Sequence, residues 1–215
     1  MPLNKVFEPC RGVHVGLWHM TESIDQLPKP KGADLHFQSD KRLKEELCVY
    51  ALLTAMTGDD HLVIGHEPSG KPKLEGRFIS ISHTRGWVAI ILSVDFQVGI
   101  DIEYASNRVG KVVGRFIRAD EQRETLSQQL INWSTKETVY KLFSEQKLNY
   151  FDMRLHDLPS DIYTFFERDD HVSDTIEGTV VVDVLKTQGE ATVYFELTPD
   201  YVLTYSFVCN WQLRP

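Results

Sequence analysis

Residues 39–58, SDKRLKEELCVYALLTAMTG, keep a helical period, and the runs that follow abandon it. Leu43, Leu47, Tyr50, Ala51 and Thr54 fall on one side of a helix, Ser39 or Asp40 can cap its start, and Gly58 stops it. From residue 61, HLVIGHEPSGKPKL, RFISISHT, GWVAIILSV and QVGIDIE are short β-like runs broken by Gly, Pro and Asp, which predicts an antiparallel meander closed by the VGIDIE strand. The second half repeats this order. NRVGKVVGRFIRADEQR and LINWSTKETVYKLFSEQKL read as helices, and GTVVVDVLK, ATVYFEL and YVLTYSFVC as strands. Ahead of the first helix, VHVGLWHM reads as a strand and TESIDQLP as a turn into a short helix. No linker of Pro, Ser and Gly divides the chain. The expectation is an α+β protein of two similar halves, 1–103 and 104–215, packed as a pseudo-dimer, each with a small antiparallel sheet and helices.

Composition narrows the function classes. A net charge of −8 over 215 residues excludes a general nucleic-acid binder, which needs a basic surface for phosphates. Cys10, Cys48 and Cys209 are odd in number, widely spaced and without a CxxC pair, so neither a disulfide framework nor a zinc site is expected. The first residues lack a signal-peptide pattern, and no run reaches the ~18 apolar residues of a membrane span. These features predict a cytoplasmic protein with no membrane or nucleic-acid partner.

Three stretches carry residues suited to chemistry. In VGIDIE, Asp101 and Glu103 share one strand face, with Cα atoms roughly 7 Å apart, while Ile100 and Ile102 share the other. Charges that close need screening water, an intervening cation, or a proton held at a raised pKa. In WSTKETVYK, Trp133, Glu137 and Lys141 lie on one helical face, with Lys136 about 100° around from Glu137. That face is either a solvated Glu–Lys pair or a third carboxylate for the strand pair, and three hard oxygens suit Mg²⁺. In RFISISHTRGW, Ser80 and Ser82 share a strand face and His83 ends the strand, either as an ordinary polar hairpin or as a phosphate donor.

Cations near these stretches suit an anionic ligand. The GKP sequence at 70–72 is either a plain turn or a place from which Lys71 reaches an anionic ligand as a mobile point charge. Arg42 stands in the first turn of its helix, where a cation is unfavourable unless an anion joins it. Arg108, Lys111, Arg115 and Arg118 form a basic stripe on the expected 108–118 helix, either a solvated face or a dock for an acidic partner.

The order of GKP, SISH, VGIDIE and WSTKETVYK resembles the 4′-phosphopantetheinyl transferases of the longer, surfactin-synthetase-activating group, closely over about residues 40–150. The resemblance implies Mg²⁺ on Asp101, Glu103 and Glu137, with Glu137 and Lys141 catalytic. It implies coenzyme A contacts at Lys71, Ser82, His83 and Lys136, and a 3′-phosphate contact at Arg42, with Lys41 the other candidate. The family's Gly-Lys-Gly-like turn is replaced here by SEQKLNYF, where Lys147 can stand in. The implied reaction moves the 4′-phosphopantetheine arm from coenzyme A to a serine of an acidic acyl or peptidyl carrier protein, releasing adenosine 3′,5′-bisphosphate from a monomeric enzyme. The alternatives are a metal-dependent phosphohydrolase using the same acids, and a catalytically silent carrier-binding relative.

Overall fold

The computed structural model describes residues 2–37, 39–167 and 175–209, which form an α+β fold. In chain order the elements are β1 (Leu3–Cys10), β2 (Val13–His19), α1 (Asp40–Thr57), β3 (Gly65–His66), β4 (Pro72–Lys73), β5 (Phe78–Thr84), β6 (Trp87–Ser93) and β7 (Phe96–Tyr104). There follow α2 (Leu126–Leu142), β8 (Met153–Leu155), β9 (Ile176–Val184), β10 (Gly189–Leu197) and β11 (Tyr201–Cys209). The chain divides into two compact units, one running to Val98 and resuming at Phe207, the other Gly99–Ser206. The division falls inside β7, ahead of the boundary drawn after residue 103, so Asp101 and Glu103 belong to the second unit. Among the described residues no helix is long and apolar enough to cross a membrane.

In the first unit an antiparallel sheet of order β1-β2-β6-β5 lies against α1. Every position from Leu47 to Leu53 of α1 is buried, a wider apolar surface than the single predicted stripe. Leu27, Ile64 and Leu74 join that core, and the Ile64 amide donates to Tyr50 OH at 3.1 Å. Gly58 ends α1 as expected, at φ +75° with its N–H on the Thr54 carbonyl. Strand β6 is buried throughout and has β2 on one edge and β5 on the other. No edge remains for β7, so the carboxylate strand does not close this meander; it lies beside β11 in the second sheet.

In the second unit that sheet runs β7-β11-β10-β9-β8, with β8 to β11 paired antiparallel in sequence order. Helix α2 starts at a capping box: the Gln128 amide donates to Thr125 Oγ1 at 3.3 Å, and the Thr125 amide donates to Gln128 Oε1 at 2.9 Å. The expected helix over 108–118 is absent. Val109–Lys111 and Val113–Arg115 are single 3-10 turns, because Gly110 and Gly114 weaken a helix by about 1 kcal/mol each. Arg108, Lys111, Arg115 and Arg118 therefore form no helical stripe, and Arg118 is committed to Asp120 and to the Phe151 carbonyl.

The two units share one wiring: a strand, a helix, then a meander whose last strand returns beside the first. The likeness reaches individual residues. In β2 a Cβ on Gly16 would strike Leu52 and Met56 of α1, and in β7 a Cβ on Gly99 would strike Thr138 and Leu142 of α2. Each glycine lets a helix close on its strand, within Val15-Gly16-Leu17 and Val98-Gly99-Ile100 respectively. Since strand side chains alternate, Trp18 follows Gly16 on the helix-facing side of β2, with Met20 just past the strand's end, and Asp101 and Glu103 follow Gly99 on that side of β7.

Candidate active site

The acids of β7 therefore face α2 and not bulk water. By the same alignment Glu137 and Lys141 of α2 stand where α1 carries Ala51 and Ala55. Where the first unit has a buried Ala51 and an exposed Ala55, the second has a cluster of charge. Lys141 Nζ donates to Asp101 Oδ1 at 2.7 Å and to the Ile100 carbonyl at 3.0 Å. Ser134 Oγ donates to Asp101 Oδ2 at 3.0 Å, Trp133 Nε1 to Glu103 Oε1 at 2.7 Å, and Tyr150 OH to Glu137 Oε1 at 2.6 Å. A buried chain of hydroxyls backs Ser134, with Thr204 at 2.9 Å and Thr138 at 2.7 Å from Thr204. Trp133 meets Phe116 edge-on at 5.0 Å and the tilted Tyr150 ring at 5.3 Å.

Three carboxylates with one lysine leave a surplus of negative charge where little water can screen it. Burial first, and the charge of Asp101 second, push the Glu103 carboxyl up to about 7. Burial raises Glu137 as well, against the lowering pull of its Tyr150 hydrogen bond. Tyr150 is pushed up by burial and then by its bond to Glu137. Of the three ways to settle the acid pair, screening water is weakened by the burial of Asp101 and the half-burial of Glu103, and a neighbouring cation is supplied to Asp101 by Lys141.

The donor chemistry of Asp101, Glu103 and Glu137, three hard oxygen ligands with surplus charge, fits a magnesium ion. Yet among the described residues no group of three His, Cys, Asp or Glu side chains is arranged to hold a metal. Each carboxylate is instead turned to a protein donor, namely Lys141 and Ser134, Trp133, or Tyr150.

Lys136, expected among the coenzyme A contacts, is a buried structural cation. Its side chain is 0% exposed, with Nζ 2.7 Å from Glu121 Oε2 and 2.8 Å from the Phe116 carbonyl. Glu121 also accepts from the amides of Arg118 and Leu155, both at 2.7 Å, so the pair ties α2 to the 116–121 loop and to β8. The one-residue offset from Glu137 turns Lys136 about 100° around the helix, away from the acids.

Within the first unit, the predicted phosphate contacts are partly assembled. Arg42 Nη1 lies 3.1 Å from His83 Nε2, and Glu45 Oε2 lies 3.6 Å from Arg42 and 3.9 Å from His83 Nδ1. Arg42 can only donate, so His83 Nε2 accepts and the ring proton sits on Nδ1, toward Glu45. Lys41 is 86% exposed and reaches Glu45 at 3.8 Å, which leaves Arg42 as the better-held of the two candidate cations. Ser82 is buried beside Ser80 on one face of β5, and Lys71 is half-buried. Glu45, Glu121, Ser134 and Tyr150 escaped the sequence reading; only the helical spacing of Arg42 and Glu45 was available to suggest any of them.

The sequence matches no protein-family model and no curated protein.

Proposed function

We propose that the protein transfers the 4′-phosphopantetheine arm of coenzyme A to a serine of an acyl or peptidyl carrier protein. The observation that carries this reading is the placing of Asp101, which is buried, and Glu103, which is half-buried, against α2, at positions where the first unit has Trp18 and Met20. Packing alone favours apolar residues there, since burying like charges is costly. A phosphoryl-transfer site repays that cost.

The serine oxygen forms a bond to the pantetheine-side phosphorus of the pyrophosphate, and the bond from that phosphorus to the bridging oxygen breaks. Glu137 takes the serine proton, directly or through one water. Lys141 offsets charge that develops on the departing adenosine 3′,5′-bisphosphate. Arg42 and His83 serve the 3′-phosphate, with Glu45 holding both side chains in place. Asp101, Glu103 and Glu137 are the residues that would hold magnesium, which would supply Lewis-acid polarisation of the pyrophosphate oxygens.

Mass spectrometry of an apo carrier protein incubated with this protein, coenzyme A and Mg²⁺ tests the reading. Gain of one phosphopantetheine on the carrier serine supports it. Cleavage of coenzyme A or simple phosphate esters without carrier points to the phosphohydrolase, and binding of carrier without any reaction points to the silent relative.

A further inference from the structure

We infer that Cys10 and Cys209 form a thiol pair that small-molecule disulfides oxidise to an internal disulfide, tying the first strand to the last. Both are half-buried thiols at the final residues of β1 and β11, and both belong to the first unit. Their wide separation in sequence hides what the fold does with them.

The turn between β6 and β7 draws the two strand ends together. In the sheet register Cys10 stands opposite Val13 and Val13 opposite Ser93, so the three share one face. Ser93 Oγ donates to the Gly12 carbonyl at 2.7 Å and accepts from the amides of Asp95 at 3.2 Å and Phe96 at 3.1 Å. A Cβ on Gly12 would lie 3.7 Å from Asp95 Oδ2, so the β1–β2 turn sits directly on the β6–β7 turn. From the other side, the Phe96 ring meets Phe207 edge-on at 5.7 Å, and Cys209 follows Phe207 on the same face of β11. The charge of a Cys209 thiolate is felt at the Cys10 thiol, which burial and Glu8 already hold above its ordinary value. A disulfide needs Cα atoms within about 7 Å, and a residue at the end of a strand moves toward that distance without disturbing the interior of its ladder. Cys48 provides the contrast: it is fully buried in the first core, and burial pushes its thiol up to about 11.

The exchange balances in two steps. The Cys209 thiolate attacks one sulfur of oxidised glutathione, forming a mixed disulfide and releasing one glutathione thiolate. The Cys10 thiolate then attacks Cys209 Sγ, the mixed bond breaks, and the second glutathione leaves; the two protons given up by the cysteines end on the two glutathiones. Cys10 acts second, where attack within one molecule offsets its smaller thiolate fraction. The loop so closed takes in nearly the whole chain, the case in which a cross-link constrains the unfolded ensemble most.

The whole protein, incubated with oxidised glutathione, alkylated and digested without reductant, tests this by peptide mass spectrometry. One peptide pair joined through Cys10 and Cys209 is expected, two hydrogens lighter than its parts, together with a higher urea midpoint than in the reduced protein. Cys10→Ser and Cys209→Ser should each lose the linked pair and keep the midpoint of the reduced protein, whereas Cys48→Ser should still form the link. Glutathione left on Cys10 and Cys209 with no bond between them overturns the inference. So does a link that joins two chains on a non-reducing gel, a link that runs through Cys48, or survival of both thiols unmodified.

Discussion

Lys141 Nζ meets Asp101 Oδ1 at 2.7 Å across 40 residues of sequence, joining the last turn of α2 to the middle of β7. The lysine side chain is 25% exposed and the aspartate 5%, so the cation stands at the rim of the cluster with its partner inside. Lys141→Met should lower holo-carrier formation at least ~100-fold, the scale of losing one donor to developing charge. Stability should fall by about 2 kcal/mol, less than for a fully enclosed pair because the lysine is partly solvated. Product mass spectra and urea titrations measure the two effects separately.

Glu103 supplies a pH signature with a definite sign. Its carboxyl holds a proton up to about 7 when folded, against an ordinary 4.5, so folding takes up a proton between those values. Stability from this group is therefore lost as pH rises through that window, in the absence of divalent cations. Asp60, Asp120 and Asp183 are held low and contribute steadily above pH 5, so they do not mask it. In EDTA, Glu103→Gln should gain up to ~3 kcal/mol relative to the parent between pH 5 and pH 8. A constant difference between the two proteins would mean that the carboxylate is solvated.

The Lys136–Glu121 pair predicts a different pattern, a fault of stability and not of turnover. Lys136→Met leaves a buried carboxylate without its cation and should cost about 3–5 kcal/mol, part of which Lys136→Met with Glu121→Gln should recover. Thermal unfolding of both variants checks this. A fully stable Lys136→Met protein that no longer binds coenzyme A would return this lysine to the substrate site.

Gly99→Ala should reveal how tightly α2 must sit on β7. The added methyl meets the Thr138 carbonyl and Leu142, neither of which is the loose end of a long side chain. We expect a loss of about 1–3 kcal/mol, and a larger proportional loss of transfer, because any retreat of α2 draws Glu137 and Lys141 away from Asp101. Comparing unfolding midpoints with kcat separates the two.

Arg42→Ala should raise KM for coenzyme A roughly 10–100-fold, the worth of one charge-assisted hydrogen bond, with kcat and the carrier KM little altered. Equal losses in kcat and KM would place Arg42 in the chemical step.

Much of the site could be read without coordinates. The alternation of VGIDIE placed Asp101 and Glu103 on one face, and the four-residue spacing of Trp133, Glu137 and Lys141 placed those three on one helical flank. Those are local rules, and local geometry enforces them. The same rules misled at 108–118, where the side chains had helical spacing but two glycines removed the backbone's reason to comply. They were silent on β1 and β8, the outer strands of their sheets, and on Tyr150, whose partner lies in a different element.

By itself the sequence determined periods, caps and stops: where α1 and Gly58 fall, which residues of β7 share a side, and that three acids and a lysine are available. Tertiary structure alone decided that the acids face α2 instead of water, that Lys136 is spent on Glu121, and that Tyr150 reaches Glu137. The physical reason is that burial and pairing depend on which surfaces meet. A helix settles against a strand only where a residue such as Gly99 allows it, and the contact partners of that meeting lie tens of residues away along the chain.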